Sequence, residues 1–189
     1  MPTLLDNVAA NLSQFTLGPI KQGKFLETAT LHFQGEPAVI QLALSSEIDS
    51  ITVPFVPSCY HGTGDEPKKG IVFNIPDGMR EQMELLEDKV REDLKPKFPK
   101  INSLWRSSTK PSGTYPSQLK AKIKPADCKY FDADGPTTAP EEWTQLPAIP
   151  ILKPLVFIQK ATAGITFEVI GLKIGERKHT DASPTLSFV

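Results

Sequence analysis

Proline is the residue that most limits what this chain can fold into. It occupies 18 of the 189 positions. Because proline removes a backbone hydrogen-bond donor and breaks helix interiors, this number favours many short strands and loops over long helices. A chain of this length is enough for one domain with a substantial core, with or without tails. The proline content therefore predicts a β-rich domain.

Alternation of residue types predicts where the strands lie. In residues 24–33, alternate positions from Phe25 to Phe33 form one face, and threonines lie on the other. Residues 118–124 (QLKAKIK) place apolar side chains on one face and three lysines on the other. Further strands are predicted at residues 38–44, 51–56, 70–75, 128–131, 151–160 and 165–174.

One convincing helix is predicted at residues 77–94. Its apolar residues recur at steps of three and four and form one stripe, Asp77 is a good N-cap, and Pro96 follows as a terminator. The region from Pro99 to Pro116 is rich in serine, threonine and proline, so we expect a long exposed loop there. These elements predict a mainly β barrel or sandwich with one amphipathic helix and long loops.

The net charge of −1 hides a segregation of charge along the chain. Residues 77–93 hold seven acids and three bases, whereas residues 95–130 hold nine bases and one acid, Asp127. Four aromatic residues are interleaved with the bases: Phe98, Trp105, Tyr115 and Tyr130. Cations neutralise phosphates and rings stack on bases, so this stretch suits single-stranded nucleic acid. The alternative is a solvated lysine face that serves solubility, with rings that pack in the core.

Motifs for catalysis, metal binding and membrane insertion do not occur. Two cysteines do not make a disulfide framework and are expected to be buried thiols of an intracellular protein. Residues 1–17 lack the basic start of a signal peptide, and no apolar run approaches the ~20 residues that span a bilayer. A small enzyme that uses Cys59 and His61 is the weakest interpretation, because no flanking motif accompanies the pair. We therefore expect no enzymatic activity, no metal and no cofactor.

The C-terminal half resembles the OB-fold single-stranded DNA-binding proteins of phages and other DNA viruses, over roughly residues 77–175. The resemblance rests on the helix, the lysine-alternating strand, the segment CKYFDADGP and the closing hairpin ILKPLVFIQKATAGITFEVIGLKI. It implies an OB-fold-like antiparallel barrel that protects and organises single-stranded DNA during replication or recombination, in the cytoplasm or nucleus of a host cell. The tail GERKHTDASPTLSFV departs from the family, whose tails are strongly acidic and recruit replication proteins.

These observations together give a division of the chain and a set of contact residues. We expect an N-terminal arm at 1–20, an OB-fold-like nucleic-acid-binding domain at 21–175 and a flexible C-terminal tail at 176–189. The residues expected to contact the nucleic acid are Lys100, Trp105, Arg106, Lys110, Tyr115, Lys120, Lys122, Lys124, Tyr130, Lys153, Phe157 and Lys160.

The expected partner is single-stranded DNA, with RNA, replication proteins and a homo-oligomer left open, and no membrane. A different class of function fits the same composition: a non-catalytic structural or assembly protein, such as a virion component with a β-sandwich. The dependence of nucleic-acid binding on salt would separate the two.

Overall fold

The computed structural model describes residues 2–5, 8–59 and 67–177. Two features of the sequence, His61 and the tail beyond Arg177, lie outside the described residues. Within the described ranges the strands are β1 (Thr3–Leu4), β2 (Phe15–Leu17), β3 (Lys21–Gln22), β4 (Glu27–Phe33), β5 (Glu36–Pro37), β6 (Ile40–Gln41), β7 (Thr52–Val53), β8 (Lys69–Asn74), β9 (Thr109–Lys110), β10 (Gln118–Ile123), β11 (Lys129–Asp132), β12 (Gly135–Thr137), β13 (Leu146–Ile158) and β14 (Ala163–Ile174). The helices that lie wholly within these ranges are α1 (Asp77–Leu94), α2 (Ile101–Leu104) and two 3-10 helices, Ala9–Gln14 and Ser45–Ser50.

Five of these strands close into a barrel. Strand β7 pairs with β8, β8 with β10, β10 with β14, β14 with β13, and β13 returns to β7. A five-stranded barrel is the architecture of the OB-fold, so the predicted fold class is confirmed. One detail differs from a fully antiparallel barrel, since β10 and β14 run parallel.

Strand β13 is the centre of the sheet. One of its edges pairs with β14 along 148–158, and the other edge pairs in turn with β7, β6 and β4. Pro154 falls between the stretch that pairs with β6 and the stretch that pairs with β4, where that edge has no partner strand. A residue without an N–H group is tolerated at such a position. Pro154 therefore lies in β13 without interrupting the strand.

The helix α1 spans the predicted residues 77–94, and the predicted apolar stripe faces the core. Met83, Leu86 and Val90 are fully buried. The N-cap is Pro76, so Asp77 is the first helical residue, and its carboxylate accepts a hydrogen bond from the Ser117 hydroxyl instead of capping its own helix. None of the helices in the described ranges is both long enough and apolar enough to cross a membrane.

The N-terminal residues are part of the domain and not a loosely attached arm. Strand β1 pairs with β6, and β2 pairs with β4. Leu5 and Val8 are completely buried, and the Phe15 ring packs against Phe33 with a centroid separation of 4.8 Å. The expectation of an arm is wrong for residues 2–5 and 8–20 because their apolar side chains complete the core. The division at 176 stays a prediction, since the tail is not described beyond Arg177.

Candidate nucleic-acid interface

The outward-facing residues of β10, β14, β13 and β4 form one continuous surface, which we call the outer wall. In β10 the side chains of Leu119, Ala121 and Ile123 are buried, whereas Lys120 is exposed and Lys122 is half-buried. The predicted outward orientation of these two lysines is therefore confirmed. It follows from a strict alternation with period two, which commits every second side chain to the core.

Pairing between strands brings lysines from distant parts of the chain onto this wall. Lys122 lies opposite Glu168 of β14, and Glu168 lies opposite Lys153 of β13. Glu168 forms an ion pair with Lys68 at 3.1 Å. Lys153 is exposed, and in the described part of the chain it has no ion-pair partner. The row is therefore cationic overall and the acid within it is compensated.

A second row crosses the wall with an aromatic ring at its centre. Lys21 of β3 lies opposite Thr28 of β4, Thr28 lies opposite Phe157 of β13, and Phe157 lies opposite Gly164 of β14. The Phe157 ring lies against Gly164, where an added Cβ would come within 3.3 Å of it. Arg106 completes the row, because its backbone N–H donates to the carbonyl of Ala163 at 2.8 Å. Both ends of the row are basic and exposed.

Segment 105–110, which fills the space between β10 and β14, is held in place by a buried carboxylate. Glu87 of α1 accepts hydrogen bonds from the Ser108 backbone N–H at 2.8 Å, from the Ser108 hydroxyl at 2.5 Å and from Trp105 Nε1 at 3.2 Å. The Ser108 carbonyl in turn accepts a hydrogen bond from the backbone N–H of Lys120 at 2.8 Å. These contacts fix Arg106 beside the outer wall.

Trp105 therefore does not lie in an exposed loop, and the expectation that it offers an open stacking face is wrong. Its ring is only 8% exposed. The Arg91 guanidinium lies 5.8 Å from the ring centroid, and the indole N–H is satisfied by Glu87. The loop predicted at 99–116 also contains helix α2 and strand β9, and its longest stretch without regular structure is the connector 111–117.

Tyr130 is also buried, which contradicts its assignment as a surface ring. Its side chain is 6% exposed, and its hydroxyl donates to the Pro125 carbonyl at 3.0 Å. It makes an edge contact with Trp143, with ring centroids 6.3 Å apart. Burial raises the pKa of the Tyr130 hydroxyl above its usual value, and burial likewise raises the pKa of the Cys128 thiol to about 11. Cys128 is thus a thiol of the core, as predicted, whereas Cys59, which was also expected to be buried, is only partly buried.

The remaining predicted residues lie at the surface but not all in one place. Lys124 follows β10 and pairs with Asp127 at 3.6 Å. Lys160 is exposed in the short turn between β13 and β14, and Lys110 is exposed in β9. Lys100 is exposed at the N-cap of α2, and Tyr115 is 66% exposed in the connector 111–117. Their assignment as contact residues stays a prediction.

Two exposed phenylalanines were not predicted from the sequence. Phe25 is 78% exposed and Phe55 is 60% exposed. The periodic pattern of residues 24–33 placed Phe25 on the buried face of a strand, but β4 begins only at Glu27. Phe55 stands between Pro54 and Pro57, and a ring flanked by prolines is a signal that a strand has ended.

Comparison with known proteins finds a similar fold in solved structures. No protein-family model matches the chain, and no curated protein matches it. The crystal structure of gp2.5, a single-stranded DNA-binding protein encoded by bacteriophage T7, is similar with a TM-score of 0.55 at 10% identity, covering 80% of this chain and 98% of that one. The single-stranded DNA-binding protein from bacteriophage Enc34, in complex with ssDNA, matches with a TM-score of 0.46 at 12% identity, covering 86% and 97% of the two chains. The chain shares the fold of the T7 protein.

Proposed function

We propose that this chain is a sequence-tolerant single-stranded DNA-binding protein that protects and organises single strands during replication or recombination. The observation that carries the proposal is the outer wall of the barrel, which presents Lys120, Lys122 and Lys153 in one part and the Phe157 ring in a second row that ends in Lys21 and Arg106. The fold likeness to gp2.5, which is a single-stranded DNA-binding protein, supports it.

The proposed mechanism is passive. Lysines along β10 and β13 neutralise phosphates and release counterions, and the half-exposed Phe157 ring supplies a surface on which a base stacks. In OB-folds the second and third barrel strands and the loops after the first and fourth barrel strands bind oligonucleotides. In this chain those strands are β8 and β10, and Lys160 lies in the second of those loops. Contacts of these kinds do not read base edges, which explains the proposed tolerance of sequence.

The buried rings and the paired lysine limit the proposed contact set. Trp105 and Tyr130 act in this proposal by positioning their neighbours and not by stacking, since both rings are buried. Lys124 contributes less than Lys120 because Asp127 already pairs with it. Tyr115 is exposed and adds a second stacking ring for a bound DNA strand that reaches the connector 111–117.

The alternative, a virion-type assembly protein, was predicted together with a β-sandwich, and its function is tested by the salt dependence of nucleic-acid binding. A two-sheet sandwich does not match the closed circuit of β7, β8, β10, β14 and β13. The proposed function needs no catalytic group, cofactor or metal. It places the protein inside a cell in which DNA is replicated, with recruitment of replication proteins as a further part of the proposal.

Titration of fluorescent oligonucleotides tests the proposal. At low salt, we expect the protein to raise the anisotropy of labelled single strands of mixed and of homopolymer sequence with similar affinities, and to bind the duplex of the same sequence more weakly. An RNA strand of matched sequence tests the choice of nucleic acid. Absence of binding to every single strand at low salt would contradict the proposal.

A further inference from the structure

Phe25 stands at the tip of a tight hairpin that holds its ring in solvent. The backbone N–H of Gly23 donates to the Leu26 carbonyl at 2.9 Å, which closes the turn between β3 and β4. An added Cβ at Gly23 would lie 2.6 Å from that carbonyl oxygen, so the turn needs glycine at this position. The ring is thus presented by a constrained turn, and 78% of it remains exposed.

A shallow cleft of about 360 Å³ lies beside this ring at the end of the barrel. Its apolar lining includes Phe98, Leu104 and Ile158, and amide side chains from Gln22 and Gln159 stand at its polar part. An apolar surface with a ring on one side and hydrogen-bonding groups on another matches the shape and chemistry of a nucleobase.

One lysine lines the cleft, and two more are close in the chain to residues that line it. The Lys24 ammonium lies 5.2 Å from the centroid of the Phe25 ring, and Lys160 lines the cleft. Lys100 is the N-cap of helix α2, two residues after Phe98 and four before Leu104. Glu27 is an acid in the lining, and its Oε1 accepts a hydrogen bond from Gln22 at 2.7 Å. These lysines give the rim of the cleft a positive charge that attracts phosphate groups.

The cleft continues the outer wall. Phe157 faces outward on β13, and Gln159 and Lys160, which follow it by two and three residues, are exposed and line the cleft. Across the strand pair, Thr28 lies opposite Phe157 and Glu27 lies opposite Ile158. Because residues of a strand are about 3.3 Å apart, Gln159 lies roughly 7 Å along the chain from Phe157, so a strand of DNA that leaves the Phe157 ring can reach the cleft.

We propose that this cleft binds one unstacked base of a single strand that crosses the outer wall, with the Phe25 ring stacked on that base and Lys160 and Lys100 beside the flanking phosphates. The proposal rests on the proposed function and adds to it a defined site for a base. It also explains why a large apolar ring is held in solvent by a turn that requires glycine.

Replacement of Phe25 tests the cleft directly. The variant Phe25→Ala should bind an oligonucleotide about 5- to 100-fold more weakly, because stacking by one ring contributes on this scale. Its melting temperature should match that of the parent, since the ring makes few contacts in the free protein. The variant Phe25→Trp should retain the affinity of the parent. The affinity of Phe25→Leu should lie between those of Phe25→Trp and Phe25→Ala.

Oligonucleotides that carry one abasic site at successive positions distinguish a site for a single base from nonspecific binding. With the parent protein, one position of the abasic site should reduce affinity most, and in Phe25→Ala that position should lose its effect. The variant Phe55→Ala removes another exposed ring and should retain the position dependence. Binding by the parent together with equal affinity of Phe25→Ala would overturn the cleft and leave the proposed function standing. Absence of binding by the parent would overturn both.

Discussion

At the scale of single residues, Glu87 is the side chain that decides where the basic segment after α2 lies. It is 3% exposed, and its two oxygens accept three hydrogen bonds from Trp105 and Ser108. A buried carboxylate is tolerated only when its lone pairs are satisfied in this way. The position of Arg106 beside the outer wall therefore depends on a residue that does not itself face the wall.

The variant Glu87→Gln should destabilise the fold. Glutamine has one accepting oxygen, so its amide N–H₂ must face either the Trp105 indole or the Ser108 donors, and at least one donor loses its partner. We expect the free energy of unfolding to fall by about 1.5–3 kcal/mol, the range for a hydrogen bond to a charged group. Urea denaturation measures this, and the emission of Trp105 in a Trp143→Phe background reports the change around the ring.

Glu92→Gln is the matched control for this variant. Glu92 lies on the same helix, is exposed and pairs with Lys95. Exposed pairs of this kind contribute about 0.3–0.5 kcal/mol, so the stability of Glu92→Gln should change little. Equal and small losses in the two variants would contradict the role assigned to Glu87.

At the scale of elements, strand β14 and segment 105–110 approach each other so closely that only glycine fits between them. A Cβ at Gly164 would lie 2.7 Å from the backbone oxygen of Arg106 and 3.3 Å from the Phe157 ring. A backbone atom cannot give way as a flexible side chain can. The contact therefore links the strand, the ring and the segment into one rigid surface.

The variant Gly164→Ala should displace that surface. We expect a loss of stability of about 1–3 kcal/mol from the forced backbone shift, together with weaker binding of single strands. Calorimetry and anisotropy titration measure the two effects. Gly113→Ala is the control, because nothing lies within 4 Å of the added Cβ, and it should change neither quantity. Unchanged stability and affinity in Gly164→Ala would show that the two elements are not coupled.

Strand β10 carries the electrostatic part of the account. The double variant Lys120→Ala with Lys122→Ala should keep the fold, because both side chains face outward. It should bind single strands of every sequence more weakly. The slope of the logarithm of the association constant against the logarithm of salt should become less steep by about 1.4, because each phosphate contact contributes about 0.7 to that slope.

The control variant removes the same number of positive charges at the C-terminal end of helix α1. Lys89 pairs with Asp93 and Lys95 pairs with Glu92, so the double variant Lys89→Ala with Lys95→Ala removes two cations that already have partners. Its salt dependence should match that of the parent. The same loss of slope in both variants would indicate a general effect of charge and not a track along β10.

Sequence reasoning succeeded where structure is set by local periodicity. Helix α1 has the predicted bounds, and β10 ends one residue before the prediction, because each pattern repeats over several turns or pleats. It failed for Trp105, whose partner Glu87 lies 18 residues earlier, on an element with its own complete pattern. The N-terminal residues were misjudged for the same reason, since β1 pairs with β6, far along the chain. Contacts between distant segments leave no periodic signal in either segment.

At the scale of the whole molecule, charge segregation in the sequence becomes charge segregation in space. Acids of α1 are engaged with bases of the same helix, such as Glu84 with Arg80 at 2.6 Å. On the outer wall, Lys120 and Lys153 have no ion-pair partner within the described residues. A protein with a net charge of −1 can therefore present a cationic surface, because a local field and not the net charge governs association with a polyanion.

The affinity for a labelled single strand as a function of salt concentration tests this account most directly. Three to five phosphate contacts on the outer wall predict a linear fall of the logarithm of the association constant with the logarithm of salt, with a slope of about −2 to −4. Anisotropy titrations of the unmodified protein at several salt concentrations give that slope. A strand that does not bind at low salt, or an affinity that does not change with salt, would contradict the assignment of the outer wall as the surface that binds single-stranded DNA.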